Sequence, residues 1–213
     1  MAPDVNRRDA MKLGAGVGAG VALTDWALAN KPSQDTEADD PRLKPIPHIR
    51  VGLVGIGGRG YHLLRLLLEQ PGVEVKAVCD LLEDRCQLAQ KTTVSAGQPK
   101  PDAYFPDDRA FEKLCDRDDL DLVVTATPWR WHVPVCVAAM KNGHHAATEV
   151  PAAVTLDECW EMVETAEKMK RHCVMLENCC YGRTEMMVLN MVRQGLLGEL
   201  VHGEAGYMHE LRD

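Results

Sequence analysis

The sequence predicts an α/β protein built on a doubly wound parallel sheet, and three observations predict it. An apolar run, Val51-Gly52-Leu53-Val54, leads into the glycine pattern Gly55-x-Gly57-x-x-Gly60 and then into a helical pattern. Further short apolar runs alternate with helical stretches along the chain, which implies crossover connections and parallel pairing. One of these runs, Leu120 to Thr127, is almost continuously apolar, as expected of a strand buried on both faces.

The first strand is expected over His48–Gly55 and the first helix over Arg59–Gln70. Leu63, Leu64, Leu66, Leu67 and Leu68 give that helix a broad apolar face. Val73–Cys79 is the second strand. Leu82–Ser95 is a helix that ends near Gly97 and Pro99. A short strand over Ala103–Phe105 and a helix over Asp108–Leu114 follow. Pro128 ends the strand that starts at Leu120, and Gly143 stops the helix Val133–Asn142. His145–Glu149 is a strand, closed by Pro151. Leu156–Arg171 is a helix, N-capped by Thr155 with Glu158 at the capping-box position. Val174–Asn178 is the next strand, and Thr184–Gln194 a helix ending at Gly195.

The glycine pattern carries chemistry because of where it stands. Gly55 permits the sharp turn, Gly57 lets backbone approach a pyrophosphate, and Gly60 lets helix and strand pack closely. The exposed N–H groups of the helix N-terminus then meet phosphate charge. Asp80 closes the second strand about twenty residues beyond the last glycine, where an acid accepts bonds from the adenine ribose. The alternative is a flexible turn, but strand, turn, helix, strand and acid together form a Rossmann-type dinucleotide fingerprint. Asp80 favours NAD over NADP, since a carboxylate repels a 2′-phosphate; Arg59 is a cation that could offset this.

Residues 1–29 are expected to be an export signal. Arg7-Arg8 precede a weakly apolar stretch, and Ala27-Leu28-Ala29 supplies a cleavage site. The pattern resembles a twin-arginine signal, with a chance Arg-Arg in a polar tail as the alternative. That route carries folded cargo, so a cofactor bound beforehand travels along, and the destination is periplasmic or secreted. Residues 30–47, with Asp35, Glu37, Asp39, Asp40 and four prolines, form an acidic linker with almost nothing apolar to bury. Residues 48–180 are the dinucleotide-binding domain. Residues 181–213 are expected to begin an α+β substrate domain. Its alternating pattern from Leu200 to Leu211 reads as the first strand of a further sheet, which suggests a fragment of a longer chain.

The formal net charge of −8 disfavours nucleic acid and anionic lipid as partners. The apolar stretch of the signal is too short and glycine-rich for a membrane span. Of the eight cysteines, Cys79, Cys136 and Cys173 read as buried small hydrophobes and the adjacent Cys179 and Cys180 would point to opposite faces, so no disulfide framework is expected; neither cysteines nor histidines show zinc-site spacing, so no metal is expected.

Ligands on parallel sheets bind at the carboxyl ends of the strands, which directs attention to the strand exits. Ala126-Thr127-Pro128 with His132, and Glu149-Val150-Pro151, resemble the Gfo/Idh/MocA oxidoreductase superfamily. That superfamily usually reads Glu-Lys-Pro at the second site. The missing lysine normally contacts the nicotinamide ribose and substrate, so Val150 departs from its dehydrogenase members. Thr127 to His132, Thr148 to Val154, Leu176 to Tyr181 and Leu197 to Glu204 resemble glycoside hydrolase family 109 in particular.

That resemblance implies an NAD-dependent α-N-acetylgalactosaminidase acting on terminal α-linked N-acetylgalactosaminyl glycans. It resembles the NAD-dependent glycosidases that lie outside the usual two-carboxylate mechanism. The implied reaction is redox-neutral: hydride leaves sugar C3 for NAD⁺ and later returns. Between these steps a base takes the C2 proton, the C1 aglycone departs and water adds. By position, Gly55, Gly57, Gly58, Arg59, Gly60 and Asp80 would hold the adenosine and phosphate half. Trp129, Arg130, Trp131 and His132 would flank the nicotinamide half, and Glu149, Val150 and Asn178 would complete the cofactor floor. Tyr207 and His209 would contact sugar and transfer protons. They share strand parity, and histidine suits acid–base work near neutral pH.

Each assignment has a structural alternative. The alternative for His132 is a helix-start histidine bonded to backbone. Trp129 and Trp131 read as packing residues, Tyr207 and His209 as edge-strand residues. Tyr181 is either a substrate contact or a structural residue with a satisfied hydroxyl. At the level of the protein, the alternatives are an exported sugar oxidoreductase of the same superfamily and a dinucleotide-binding fragment without activity. Self-association is an allowed further property.

Overall fold

The computed structural model describes residues 46–204, together with 206 and 208; the expectations for residues 1–45, Tyr207 and His209 fall outside these. Six strands form one parallel sheet: β1 (Ile49–Val54), β2 (Val73–Cys79), β3 (Asp102–Tyr104), β4 (Leu122–Thr125), β5 (His145–Thr148) and β6 (Cys173–Met175). Their order, β3-β2-β1-β4-β5-β6, is that of a Rossmann-type dinucleotide-binding sheet. Consecutive strands are joined by α1 (Gly58–Leu68), α2 (Glu83–Ser95), α3 (Ala110–Cys115), α4 (His132–Lys141) and α5 (Leu156–Met169). A last helix, α6 (Arg183–Arg193), follows β6.

The sheet is buried on two faces, each with its own apolar layer. Leu63 and Leu64 of α1 and Cys86 and Ala89 of α2 pack with Val51, Leu53, Val75 and Val78. On the other layer, Phe111 and Leu114 of α3, Val135 and Met140 of α4 and Met162 of α5 pack with Val54, Ala77 and Val123. Burial of alternate residues on both sides makes the strands apolar throughout, which is why β1 and β4 were readable from composition. Arg50 at the foot of β1 ties this strand to β4: its Nε and Nη2 donate to the two carboxylate oxygens of Asp121 at 2.9 and 2.8 Å.

The capping box forms as predicted. Glu158 N donates to Thr155 Oγ1 at 3.2 Å, and Thr155 N donates to Glu158 Oε2 at 3.0 Å. Cys79 and Cys115 are buried, and burial pushes each thiol up to about 12. Such thiols are packing groups rather than nucleophiles. The strand expected from Leu200 is not formed over residues 200–204; a strand needs a neighbour for its ladder bonds, and none of the described residues pairs with this stretch. No described helix is long and apolar enough to cross a membrane.

Candidate dinucleotide site at the strand exits

The turn after β1 shows why its glycines are where they are. Gly55 has φ +87°, and a Cβ there would lie 2.8 Å from the backbone carbon and oxygen of Ala126. A Cβ on Gly60 would sit 1.8 Å from Gly55 O, so α1 can approach β1 only with glycine at this position. Gly57 and Gly58 behave differently. A Cβ on Gly58 would meet nothing within 4 Å, and one on Gly57 would meet only Arg85 Nη1, at 3.9 Å. Two of the glycines thus make the turn, and two keep an open cradle at the start of α1.

Gly57 caps α1 in an extended conformation, and neither a side-chain cap nor an acidic residue occupies the first turn. The N-terminal N–H groups of an eleven-residue helix therefore point into this cradle with the positive end of its dipole. Asp80, at the β2 exit, fastens the loop. Its Oδ2 accepts from Ile56 N at 2.7 Å, and its Oδ1 accepts from Leu82 N at 3.0 Å. Open backbone, uncapped N–H groups and a nearby acid fit a dinucleotide: the cradle for its pyrophosphate, the acid for its adenosine ribose.

Arg59 does not approach Asp80. Its Nε donates to Glu149 Oε1 at 2.6 Å, joining the glycine loop to the β5 exit. The other Glu149 oxygen accepts from Val150 N at 3.3 Å. Arg85, which sequence reasoning missed, supplies the cation next to Asp80, with Nη1 3.6 Å from Oδ1. Its one signal was a positive charge in the first turn of α2, where the helix dipole disfavours it.

The run after β4 divides. Residues 129–131 form one turn of 3₁₀ helix. Trp129 stands 63 % exposed at the strand exit, while Trp131 turns inward, its ring 5.6 Å from Phe111 in an edge-on contact. Arg130 lies over the Trp131 ring at 5.8 Å. His132 is buried and takes the backbone-bonded arrangement: Nδ1 faces Pro151 O at 2.7 Å and Nε2 faces Thr127 O at 2.9 Å. It clamps the β4 exit to the β5 exit. Val150 is 40 % exposed beside the cis Val150–Pro151 peptide. Asn178 and Tyr181 lie exposed beyond β6. Thus the Gly55–Gly60 turn is joined to the β2 exit through Asp80 and to the β5 exit through Arg59 and Glu149, whereas the half-buried Trp131 packs against the core and the His132 side chain is buried. Among the described residues, no cluster of His, Cys, Asp and Glu could hold a metal ion.

Comparison with known proteins agrees with this geometry. Residues 49–177 match the oxidoreductase family with an NAD-binding Rossmann fold, and residues 181–213 match the C-terminal domain of glycosyl hydrolase 109. A glycosyl hydrolase family 109 protein of Solibacter usitatus is 50% identical over 211 residues, covering 97% of this chain and 47% of the relative. An alpha-N-acetylgalactosaminidase of Shewanella oneidensis is 42% identical over 216 residues, covering 98% of this chain and 47% of the relative. The chain thus spans about half the length of these relatives. Scyllo-inositol dehydrogenase from Lactobacillus casei, solved with NAD(H) and scyllo-inositol, shares the fold with a TM-score of 0.63 at 17% identity, over 71% of this chain and 43% of that one. The chain belongs to the Gfo/Idh/MocA oxidoreductase family, with an NAD-binding Rossmann fold, and to its glycoside hydrolase 109 branch.

Proposed function

We propose that the protein is an exported α-N-acetylgalactosaminidase that uses NAD without net consumption. The observation that carries this reading is the open backbone of Gly57 and Gly58 at the uncapped N-terminus of α1, which suits a phosphate, in a chain whose relatives bear glycosidase names. Bound NAD would supply a reversible hydride acceptor for C3 of a terminal α-linked N-acetylgalactosaminyl residue. The chain's own residues would do the rest. The cradle binds pyrophosphate, Asp80 receives the ribose, and Arg59 with Glu149 fixes the spacing between the phosphate loop and the β5 exit. The strand exits contain no lysine among residues 55–60, 80–85, 126–132, 149–154 and 176–181, so no amine there relays protons as in the dehydrogenase pattern. Tyr207 and His209 are proposed to contact the sugar and to move the C2 proton, on their parity and chemistry alone.

Export through the twin-arginine route is part of the proposal, resting on Arg7-Arg8 and the residues after them. Replacing both arginines by lysine should leave precursor in the cytoplasm; undiminished export would refute the route. The activity is tested on the whole protein with an aryl α-N-acetylgalactosaminide. Many sugars released per protein, at constant total NAD⁺ plus NADH, are expected. Stoichiometric consumption of added NAD⁺ with no aglycone released would identify an oxidoreductase instead.

A further inference from the structure

We infer that Cys136 and Cys173 are a redox-responsive thiol pair, which an external disulfide converts into an internal disulfide that staples the edge strand β6 to α4. Both read in sequence as packing cysteines, and the fold brings them together. Cys136 stands one turn after His132 on α4 and is buried. Cys173 opens β6 and is half-buried against the apolar layer to which Cys136 belongs. Strand pairing sets Cys173 beside Ala146 of β5. Such partners share a sheet face with each other and with Thr148, two residues on. Ala146 belongs to the same layer as Cys136, so this is the face beneath α4. An alanine leaves room for sulfur above it, and in that space the two thiols are hydrogen-bonded to each other.

The pair is asymmetric. The Cys136 S–H donates to Cys173 Sγ, which holds the Cys173 thiol below the usual cysteine value although burial opposes the shift. The same bond, and then burial, hold Cys136 well above that value. Cys173 is therefore the attacking sulfur, on a strand with no described neighbour on its outer side, and Cys136 the resolving one. The Cys173 thiolate attacks one sulfur of the external disulfide, and a first thiolate leaves with the Cys173 proton. Cys136 then attacks Cys173 Sγ, and the second thiolate leaves with the Cys136 proton. The external disulfide is reduced to two thiols, and the cysteine pair is oxidised. Cys115 does not compete, since it is buried and its thiol is pushed up to about 12. The new bond closes a loop of about 40 residues, a size at which a crosslink strongly restricts the unfolded chain. It fastens the three-residue β6 to the helix whose His132 clamps the β4 and β5 exits. The proposed export would deliver the pair to an oxidising compartment, but the inference stands on the geometry alone.

The test takes the whole protein with the exposed Cys159, Cys179 and Cys180 replaced by serine. The protein is incubated with glutathione disulfide or with dithiothreitol, alkylated in denaturant and digested with trypsin without reduction. After oxidation, peptides Trp131–Lys141 and His172–Arg183 should be recovered as one disulfide-linked species; after reduction they should be separate and alkylated. The parent protein, mapped by fragment ions, should show the same link. The oxidised form should melt about 5–15 °C above the reduced form. Cys136→Ala and Cys173→Ala should each abolish both the linked species and the redox dependence of melting. Both cysteines recovered alkylated after oxidation would overturn the pair, as would glutathione retained on Cys173 without transfer to Cys136. A link that leaves the melting temperature unchanged would overturn the staple.

Discussion

Arg59 Nε stands 2.6 Å from Glu149 Oε1, an ion pair between residues ninety positions apart that ties the glycine loop to the β5 exit. Glu149 is nearly buried while Arg59 is more open, with side-chain exposures of 11% and 38%. The acid depends on the pair more than the base does. A carboxylate with that little access to water loses its main charged partner when Arg59 is removed. The pair also spans loop and strand exit, so it sets a distance the cofactor must fit.

Arg59→Ala should therefore destabilise the fold by about 1–3 kcal/mol, the cost of leaving a buried polar group without its partner. Glu149→Gln should cost less, because an amide still offers an acceptor oxygen. A double-mutant cycle by chemical denaturation should give a coupling of about 0.5–3 kcal/mol. Coupling indistinguishable from zero would mean the pair is a surface contact of no energetic weight.

The glycine loop allows stability and binding to be separated. Gly60→Ala would place a methyl group 1.8 Å from Gly55 O, which only backbone movement can relieve. A loss of about 3 kcal/mol, at the upper end for overpacking, is expected in thermal or urea unfolding. Gly58→Ala meets nothing within 4 Å and stands at the first position of α1. It should leave the protein as stable or raise stability by up to about 1 kcal/mol through helix propensity. Its methyl group nevertheless fills the cradle, so dinucleotide affinity should fall. Unchanged affinity in a folded Gly58→Ala protein would move the phosphate site away from this loop.

At the opposite end of the sheet, His145 is partly buried, and burial, followed by the neighbouring His172 and Arg171, holds its imidazole below the usual value of 6.5. His172 N donates to His145 Nδ1 at 3.0 Å, a bond that requires this nitrogen unprotonated. The folded state therefore binds the proton more weakly than the unfolded chain. The stabilising contribution is full above pH 6.5 and is lost as pH falls through the lowered folded value. Melting temperature should drop between about pH 7 and pH 5, and His145→Gln should flatten that slope. An identical slope in the variant would assign the titration to another group.

These residues also show what a sequence can and cannot convey. The glycine loop was legible because three constraints coincide in one short stretch: a positive φ at Gly55, a backbone contact at Gly60 and an acid at the next strand end. The strands were legible because burial on both faces leaves apolar runs. Side-chain direction beyond a strand exit was not. Trp129, Trp131 and His132 are neighbours in sequence, yet the 3₁₀ turn aims Trp129 outward and packs the half-buried Trp131 against the core, and the helix that follows buries His132. Arg85 was overlooked because its partner belongs to a different element, and a charged residue on a polar helix otherwise reads as solvated. Likewise, a strand pattern at Leu200 states only that a strand would suit a pleated, half-buried surface; a ladder partner must come from elsewhere.

The proton chemistry gives the sharpest test of the proposed reaction. Oxidation at C3 makes the C2 proton acidic, and a base must then remove it before the aglycone leaves C1. Protons exchanged through such a base equilibrate with water. Turnover in D₂O by the whole protein should therefore leave deuterium at C2 of the released N-acetylgalactosamine, read by proton NMR or mass spectrometry. If His209 is that base, His209→Ala should lower the rate by about 10²–10⁴. Dinucleotide content should stay at the parental level, since the cradle at Gly57 and Gly58 is untouched. A variant that loses activity together with its dinucleotide would show damage to the fold rather than to proton transfer. Sugar released with only hydrogen at C2 would exclude elimination as the bond-breaking step, whatever the rate of the variant.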